Sequence, residues 1–155
     1  MRAVRRLAAV GVVGACLVAI PAVAQAKIVP GSKVAGVALG DSAAKVKATL
    51  GTPEPGSNIL NYRYLKRHGL GVYFVAGKAL DITVVGKKQR TASGIGVGST
   101  RAALEKAYPK AKCRPALVGT NAFECRLPGR FAGRRTETVF VTKKDRVATI
   151  TVRFA

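Results

Sequence analysis

From residue 36 onward the chain alternates between helical spacings of apolar residues and runs in which every second residue is apolar. Ala43, Val46 and Leu50 recur at intervals of three and four, the spacing of one helix face. Asp41 or Ser42 can cap that helix, Gly51 takes the C-terminal cap position and Pro53 stops continuation. Ala103, Leu104, Ala107 and Tyr108 repeat the stripe behind Ser99 and Thr100, and Pro109 ends it. Helices this short are not stable alone in water, so each needs a surface to lie on. Alternating runs at 59–65, 70–75 and 80–85, then at 122–127, 136–142 and 146–154, predict two three-stranded meanders. Alternation points Leu60, Tyr62, Tyr64, Leu80, Ile82 and Val84 inward, followed by Phe123, Cys125, Leu127, Val139, Val141, Ala148, Ile150, Val152 and Phe154. The opposite face then carries Arg63, Tyr73, Thr83, Arg126, Phe140, Thr149, Thr151 and Arg153.

The two halves also match each other in order. Gly36-Val37-Ala38-Leu39-Gly40-Asp41-Ser42 aligns with Gly94-Ile95-Gly96-Val97-Gly98-Ser99-Thr100, and Ile82-Thr83-Val84 with Ile150-Thr151-Val152. The expected fold class is α+β: two tandem helix-plus-three-stranded antiparallel meander repeats, with the helices packed on one face of the sheet. The expected organisation is a leader at 1–26, a first αβββ repeat at 27–86, a basic linker at 87–91 and a second αβββ repeat at 92–155. Repeats of this size bury little alone, so they are expected to share an interface.

The glycine-punctuated segment 36–42, the short helix, Leu50-Gly51-Thr52-Pro53 and the meander resemble the BamE/SmpA-OmlA-like superfamily. The tandem form, with its second motif at 94–100, is similar to the β-lactamase inhibitor protein architecture. Tyr108-Pro109 departs from the Leu50-Gly51 pattern. The resemblance implies helices on an antiparallel sheet, and an exported, non-catalytic protein that binds other proteins or serves in envelope assembly. No particular partner is carried over.

Residues 1–26 change the setting. Arg2, Arg5 and Arg6 precede an uncharged apolar stretch broken at Pro21, and Ala24-Gln25-Ala26 forms a small-residue cleavage signature. A secretory leader cleaved after Ala26 is expected, giving a secreted, periplasmic or cell-envelope protein. A lipoprotein attached at Cys16 and an uncleaved membrane anchor rank below it. Cys113 and Cys125 are the cysteines left, and an even pair in an exported chain is expected to be a disulfide tying the second helix to the sheet.

Charge and chemistry narrow the function classes. The 155 residues hold 27 Lys+Arg against 7 Asp+Glu, a formal net charge of +20, which favours acidic partners. The single histidine, His68, lies in the basic turn Lys66-Arg67-His68-Gly69 and is a poor metal ligand there. No serine lies in G-x-S-x-G, and Ser42 and Ser99 read as helix caps. Gly94-Ile95-Gly96-Val97-Gly98 lacks the lysine and hydroxyl residue of a phosphate loop. Glu124 and Glu137 are expected to pair across strands with Arg126 or Arg135 rather than to act as a catalytic carboxylate pair. The expectation is no enzyme, no catalytic or metal-ligating residues and no cofactor.

Two surfaces remain. Arg63, Tyr73, Arg126, Phe140 and Arg153 on the outer sheet face combine the residue types enriched at binding hot spots. Lys66, Arg67, Lys87, Lys88, Arg90, Arg134 and Arg135 form a basic rim at turns and linkers. The expected function is a secreted binding module that recognises an exported or envelope protein through the outer face and basic turns. The alternative is electrostatic attachment to an anionic envelope polymer or lipid surface. Export argues against nucleic acid as a physiological target.

Overall fold

A computed structural model describes residues 27–116 and 121–155. The leader at 1–26 and its cleavage site lie outside the described residues, as do the alternative attachments.

Among the described residues, ten strands and two helices form in the order β1 (Ile28–Val29), β2 (Lys33–Val34), β3 (Val37–Ala38), α1 (Ala43–Leu50), β4 (Asn61–Tyr64), β5 (Leu70–Val75), β6 (Lys78–Val84), α2 (Arg101–Ala107), β7 (Lys112–Pro115), β8 (Ala122–Phe131), β9 (Arg134–Lys143) and β10 (Arg146–Phe154). Seven strands make one antiparallel sheet in the order β4-β5-β6-β10-β9-β8-β7. The remaining three form a small ribbon, β1-β2-β3.

Tight hairpins set the sheet's register. Ala76-Gly77, Ala132-Gly133 and Lys144-Asp145 all take positive φ at both central positions. That is the backbone of a type I′ turn, whose twist matches that of the flanking strands. The two hairpins on either side of the sheet's middle meet where β6 pairs with β10, Ile150 opposite Val84 and Arg153 opposite Asp81.

One face of the sheet is covered. Leu70, Val72, Phe74, Ile82, Val84, Cys125, Phe140, Ile150 and Val152 are all buried on it. Above them lie Ile28, Val34 and Val37 of the ribbon, Ile95 and Val97 of the connecting segment, Val46 and Leu50 of α1, and Leu104 of α2. Ser42 caps α1 by accepting from the Lys45 N–H, and Thr100 caps α2 by accepting from the Ala103 N–H. Among the described residues, no helix is long and apolar enough to cross a membrane.

This architecture overturns the expected fold class. The chain does not form two helix-plus-meander repeats. It is mostly β, with one seven-stranded sheet, a three-stranded ribbon and helices of only 8 and 7 residues. The cover over the sheet is largely ribbon and connecting segment. Each helix is about two turns long and cannot roof a sheet of this width.

The expected disulfide forms between Cys113 and Cys125. The two residues face each other across β7 and β8, so the bond staples the edge strand to its neighbour rather than the helix to the sheet.

Four facing assignments also change. Leu60, expected inward, precedes β4 and is 49% exposed. In β9, Thr136, Thr138, Phe140 and Thr142 turn inward, while Glu137, Val139 and Val141 share the outer face. Two of the inward threonines find polar partners: Thr138 Oγ1 accepts the Gly31 N–H at 2.7 Å and Thr142 Oγ1 lies 3.5 Å from the Phe123 carbonyl, whereas the buried Thr136 hydroxyl has none among the described residues. At the β5–β6 pair, Tyr73 faces Asp81 and Phe74 faces Ala79, which leaves Leu80 as a bulge residue. Ala79 enters the core and Leu80 is displaced to the outer side. A second bulge at Ala148 puts Val147 into the core instead.

Candidate recognition face

The sheet's second face is covered by no element among the described residues, and its register lays side chains in cross-strand rows. One row runs Asn61, Tyr73, Asp81, Arg153, Glu137, Pro128. The next runs Arg63, Gly71, Thr83, Thr151, Val139, Arg126, Lys112. A third holds Thr149, Val141, Glu124 and Arg114.

Charges on this face are interleaved. Arg114 Nη2 lies 3.2 Å from Glu124, whose Oε1 also takes the Arg126 Nε. Arg126 Nη1 reaches Glu137 Oε2 at 3.4 Å, and Arg153 Nη2 and Nε lie 2.6 and 2.8 Å from Glu137 Oε1. The hydrogen bond from Arg126, with further help from Arg114, holds the Glu124 carboxyl below its ordinary value against the opposing effect of burial. The expected pairing of Glu124 and Glu137 with Arg126 is present; Arg153, not Arg135, completes it.

Asp81 ends this ladder differently. It accepts the Thr83 hydroxyl at 2.9 Å, and Thr83 in turn bonds Thr151. Among the described residues, no lysine or arginine forms an ion pair with it. Burial pushes its carboxyl above the ordinary value, with the Thr83 hydrogen bond and the Arg153 charge opposing.

Two hollows flank Asp81. The first, of about 240 Å³, has the bare backbone of Gly71 among its lining, together with Arg63, Leu65, Tyr73, Asp81, Thr83 and Val85. The second, of about 390 Å³, is lined by Tyr73, Leu80, Asp81, Glu137, Arg153, Phe154 and Ala155. Tyr73 is 43% exposed beside them, and Leu65, Val75 and Val85 are exposed apolar neighbours on the same third of the sheet.

Of the residues expected at the recognition face, Arg63, Tyr73, Arg126 and Arg153 lie on it. Phe140 does not. It is 0% exposed and stacks on Tyr108 in the core, ring centroids 5.8 Å apart. Pattern reading misplaced Leu80, because a bulge cannot be seen in the alternation, and passed over Asp81, which that alternation already put on the outer side. It also passed over Leu65, Val75 and Val85, whose signal was an apolar residue on the supposed polar side of each run.

The basic rim is split between opposite ends of the sheet. Lys66 and Arg67 sit in the β4–β5 turn, against the segment holding Lys87 and Lys88. The backbones touch there: a Cβ on Gly69 would lie 2.5 Å from the Gly86 Cα. Arg134 and Arg135 begin β9 at the other end, where Arg134 stacks over the Phe154 ring at 3.7 Å. Arg90 is a brace, its Nη1 donating to the Gly94 carbonyl at 2.8 Å. Among the described residues, no three His, Cys, Asp or Glu side chains group as a metal site.

No protein-family model and no curated protein matches the sequence. Among solved structures, the fold is similar to an extracellular protein containing a SCP domain from Bacillus anthracis, with a TM-score of 0.51 and 9% sequence identity. The match covers 74% of this chain and 43% of that one, so the chain spans less than half of that protein's length. At this identity the likeness is one of fold alone.

Proposed function

We propose that the chain is an exported, non-enzymatic binding module that recognises a protein through the uncovered face of its seven-stranded sheet. The observation that carries this reading is the face itself. It joins exposed Tyr73, Leu65, Val75 and Val85 to a ladder of mutually paired charges, in a molecule with 27 Lys+Arg against 7 Asp+Glu. Exposed aromatics flanked by ordered arginines are the composition of protein-binding hot spots. Export is supported by the leader-like segment 1–26 and the Cys113–Cys125 disulfide, and the structural neighbour is itself described as extracellular.

Attachment to an anionic envelope polymer or lipid is the second reading, and the exposed Lys66, Arg67, Lys87 and Lys88 at one end of the sheet favour it. Capture from envelope and secreted fractions by residues 27–155, at low and moderate salt, separates the two. Protein recognition predicts capture that survives salt, fails with Tyr73→Ala plus Val85→Asp, and tolerates Lys87→Gln plus Lys88→Gln. The reverse pattern overturns it, because exposed charges are screened beyond about 8 Å at physiological ionic strength.

A further inference from the structure

We propose that Asp81 and Tyr73, between the two hollows of the outer face, form a socket for a single arginine side chain projecting from an otherwise acidic protein surface. The proposal names the chemistry of the partner and rests on the protein-recognition reading.

The carboxylate comes first. The chain has 7 Asp+Glu against 27 Lys+Arg, so an acid without an ion-pair partner is unusual here. The others are engaged. Asp41 pairs with Lys45, Glu105 and Asp145 with Arg101, and Glu124 and Glu137 with the ladder arginines. Glu54 accepts the backbone N–H groups of Lys66 and Arg67. Asp81 has only the Thr83 hydroxyl on Oδ1, which leaves Oδ2 open to a donor. Its shifted titration agrees with a carboxylate short of compensation.

The surroundings select the cation. Tyr73 faces Asp81 directly across the strand pair, so a planar group bonded to the carboxylate can lie against the ring. A guanidinium suits both contacts: it stacks on aromatic faces and offers donors in a fixed fork, whereas an ammonium is a compact, strongly hydrated charge. Gly71 provides depth on one side, and Leu80 provides an apolar wall for the side chain's stem on the other.

The nearest cations do not block entry. Arg153 is held by Glu137 through both Nε and Nη2, so its charge is compensated. Arg63 lines the first hollow from two strands away, but its guanidinium is turned toward the backbone of Gly56, where a Cβ would lie 2.8 Å from Nη1. Arg63 at the face and Lys66, Arg67, Lys87 and Lys88 at the adjoining end then favour acidic groups around the inserted arginine.

The test uses ¹⁵N-labelled residues 27–155 and two capped pentapeptides, one with arginine between two glutamates and one with glutamine in that place. The arginine probe is expected to shift the Gly71, Asp81 and Thr83 amides in the millimolar range, and the glutamine probe to leave them unmoved. Asp81→Asn is expected to weaken the arginine probe at least tenfold, and Tyr73→Ala about two- to fivefold. No shift with arginine, equal shifts with both probes, or binding unchanged in Asp81→Asn overturns the socket. Capture from envelope fractions that needs Tyr73 and Val85 but not Asp81 overturns the socket and leaves the recognition face intact. Absence of any capture counts against the recognition face itself.

Discussion

Truncating Phe140 to alanine is expected to cost far more stability than truncating Tyr73, although simple alternation puts both aromatics on one surface. Phe140 is 0% exposed and Tyr73 43%. Removing a fully buried phenyl ring forfeits its transfer free energy and leaves a cavity, together about 3–5 kcal/mol. The site favours the upper half of that range. Its cross-strand neighbours are Cys125 and Ile150, both fully buried, and Cys125 is tied to β7 by the disulfide, which limits collapse into the void. The stacked Tyr108 ring also loses its partner. Tyr73→Ala removes a ring already half in water and is expected to cost less than about 1 kcal/mol. Urea unfolding of oxidised residues 27–155, followed by far-ultraviolet circular dichroism, measures both. In thermal scans the Phe140 variant is expected to melt about 15–20 °C lower, taking about 4 °C per kcal/mol for a domain of this size. Equal losses in the two variants, or a Phe140→Ala cost under about 1.5 kcal/mol, would show that β9 presents its other face and would refute the row assignments of the outer surface.

Further outcomes follow from the disulfide, the charge ladder and Asp81. Replacing both Cys113 and Cys125 by serine is expected to cost about 3 kcal/mol, the entropy released on opening a loop of this length; an unchanged urea midpoint would mean that the staple contributes nothing. Glu137→Gln removes the acceptor shared by Arg126 and Arg153 and is expected to cost no more than about 1 kcal/mol, whereas Glu54→Gln leaves the ladder intact; a double-mutant cycle with Arg153→Met that shows no coupling would count against the ladder. The folded protein holds the Asp81 proton above the ordinary value of 3.8, so this group's contribution to stability falls as pH rises through that window and stays lower above it. Asp81→Asn is therefore expected to be more stable than the parent at neutral pH and equal to it at about pH 3; a loss of stability at neutral pH would contradict the burial penalty.

Local periodicity carried much of the strand content but not its assembly. The alternating runs at 70–75 and 146–154 become β5 and β10 because a half-buried strand needs one apolar side. Nothing in those runs announces that β6 pairs with β10, since antiparallel pairing depends on shape and register across the whole sheet rather than on local spacing. In β9 the alternation is ambiguous. Thr138, Phe140 and Thr142 compete with Val139 and Val141 for the core, and both sets are β-branched or aromatic. The single large ring decides the face, because burying phenylalanine outweighs burying valine, and the threonine hydroxyls can bond to nearby backbone. The ribbon strands are two residues long, too short for any period to register. The bulges at Leu80 and Ala148 break alternation in mid-strand, and the Leu80 bulge sits beside the candidate socket.

The placement of acids ties these observations together. With 7 Asp+Glu against 27 Lys+Arg, carboxylates are scarce, yet Asp81, Glu124 and Glu137 all stand on the outer sheet face. Two of them join Arg114, Arg126 and Arg153 into a ladder of ion pairs, and hydrogen bonds within that ladder fix the side chains in place. Ion pairs this exposed add little to stability, so stability alone does not explain their concentration on one face. What the ladder achieves, with Asp81 beside it to balance three arginines against three carboxylates, is order and low net charge along these pairs in a strongly cationic molecule. A partner approaching the face meets prearranged donors and acceptors, while the cations at the sheet's ends bias its approach from a distance. The cationic ends then govern the rate of encounter and the central face governs how long a complex lasts. Added salt is expected to slow association while leaving dissociation nearly constant, and surface plasmon resonance on any captured partner reads the two rates separately. Salt-dependent dissociation with salt-independent association would reverse the assignment of roles.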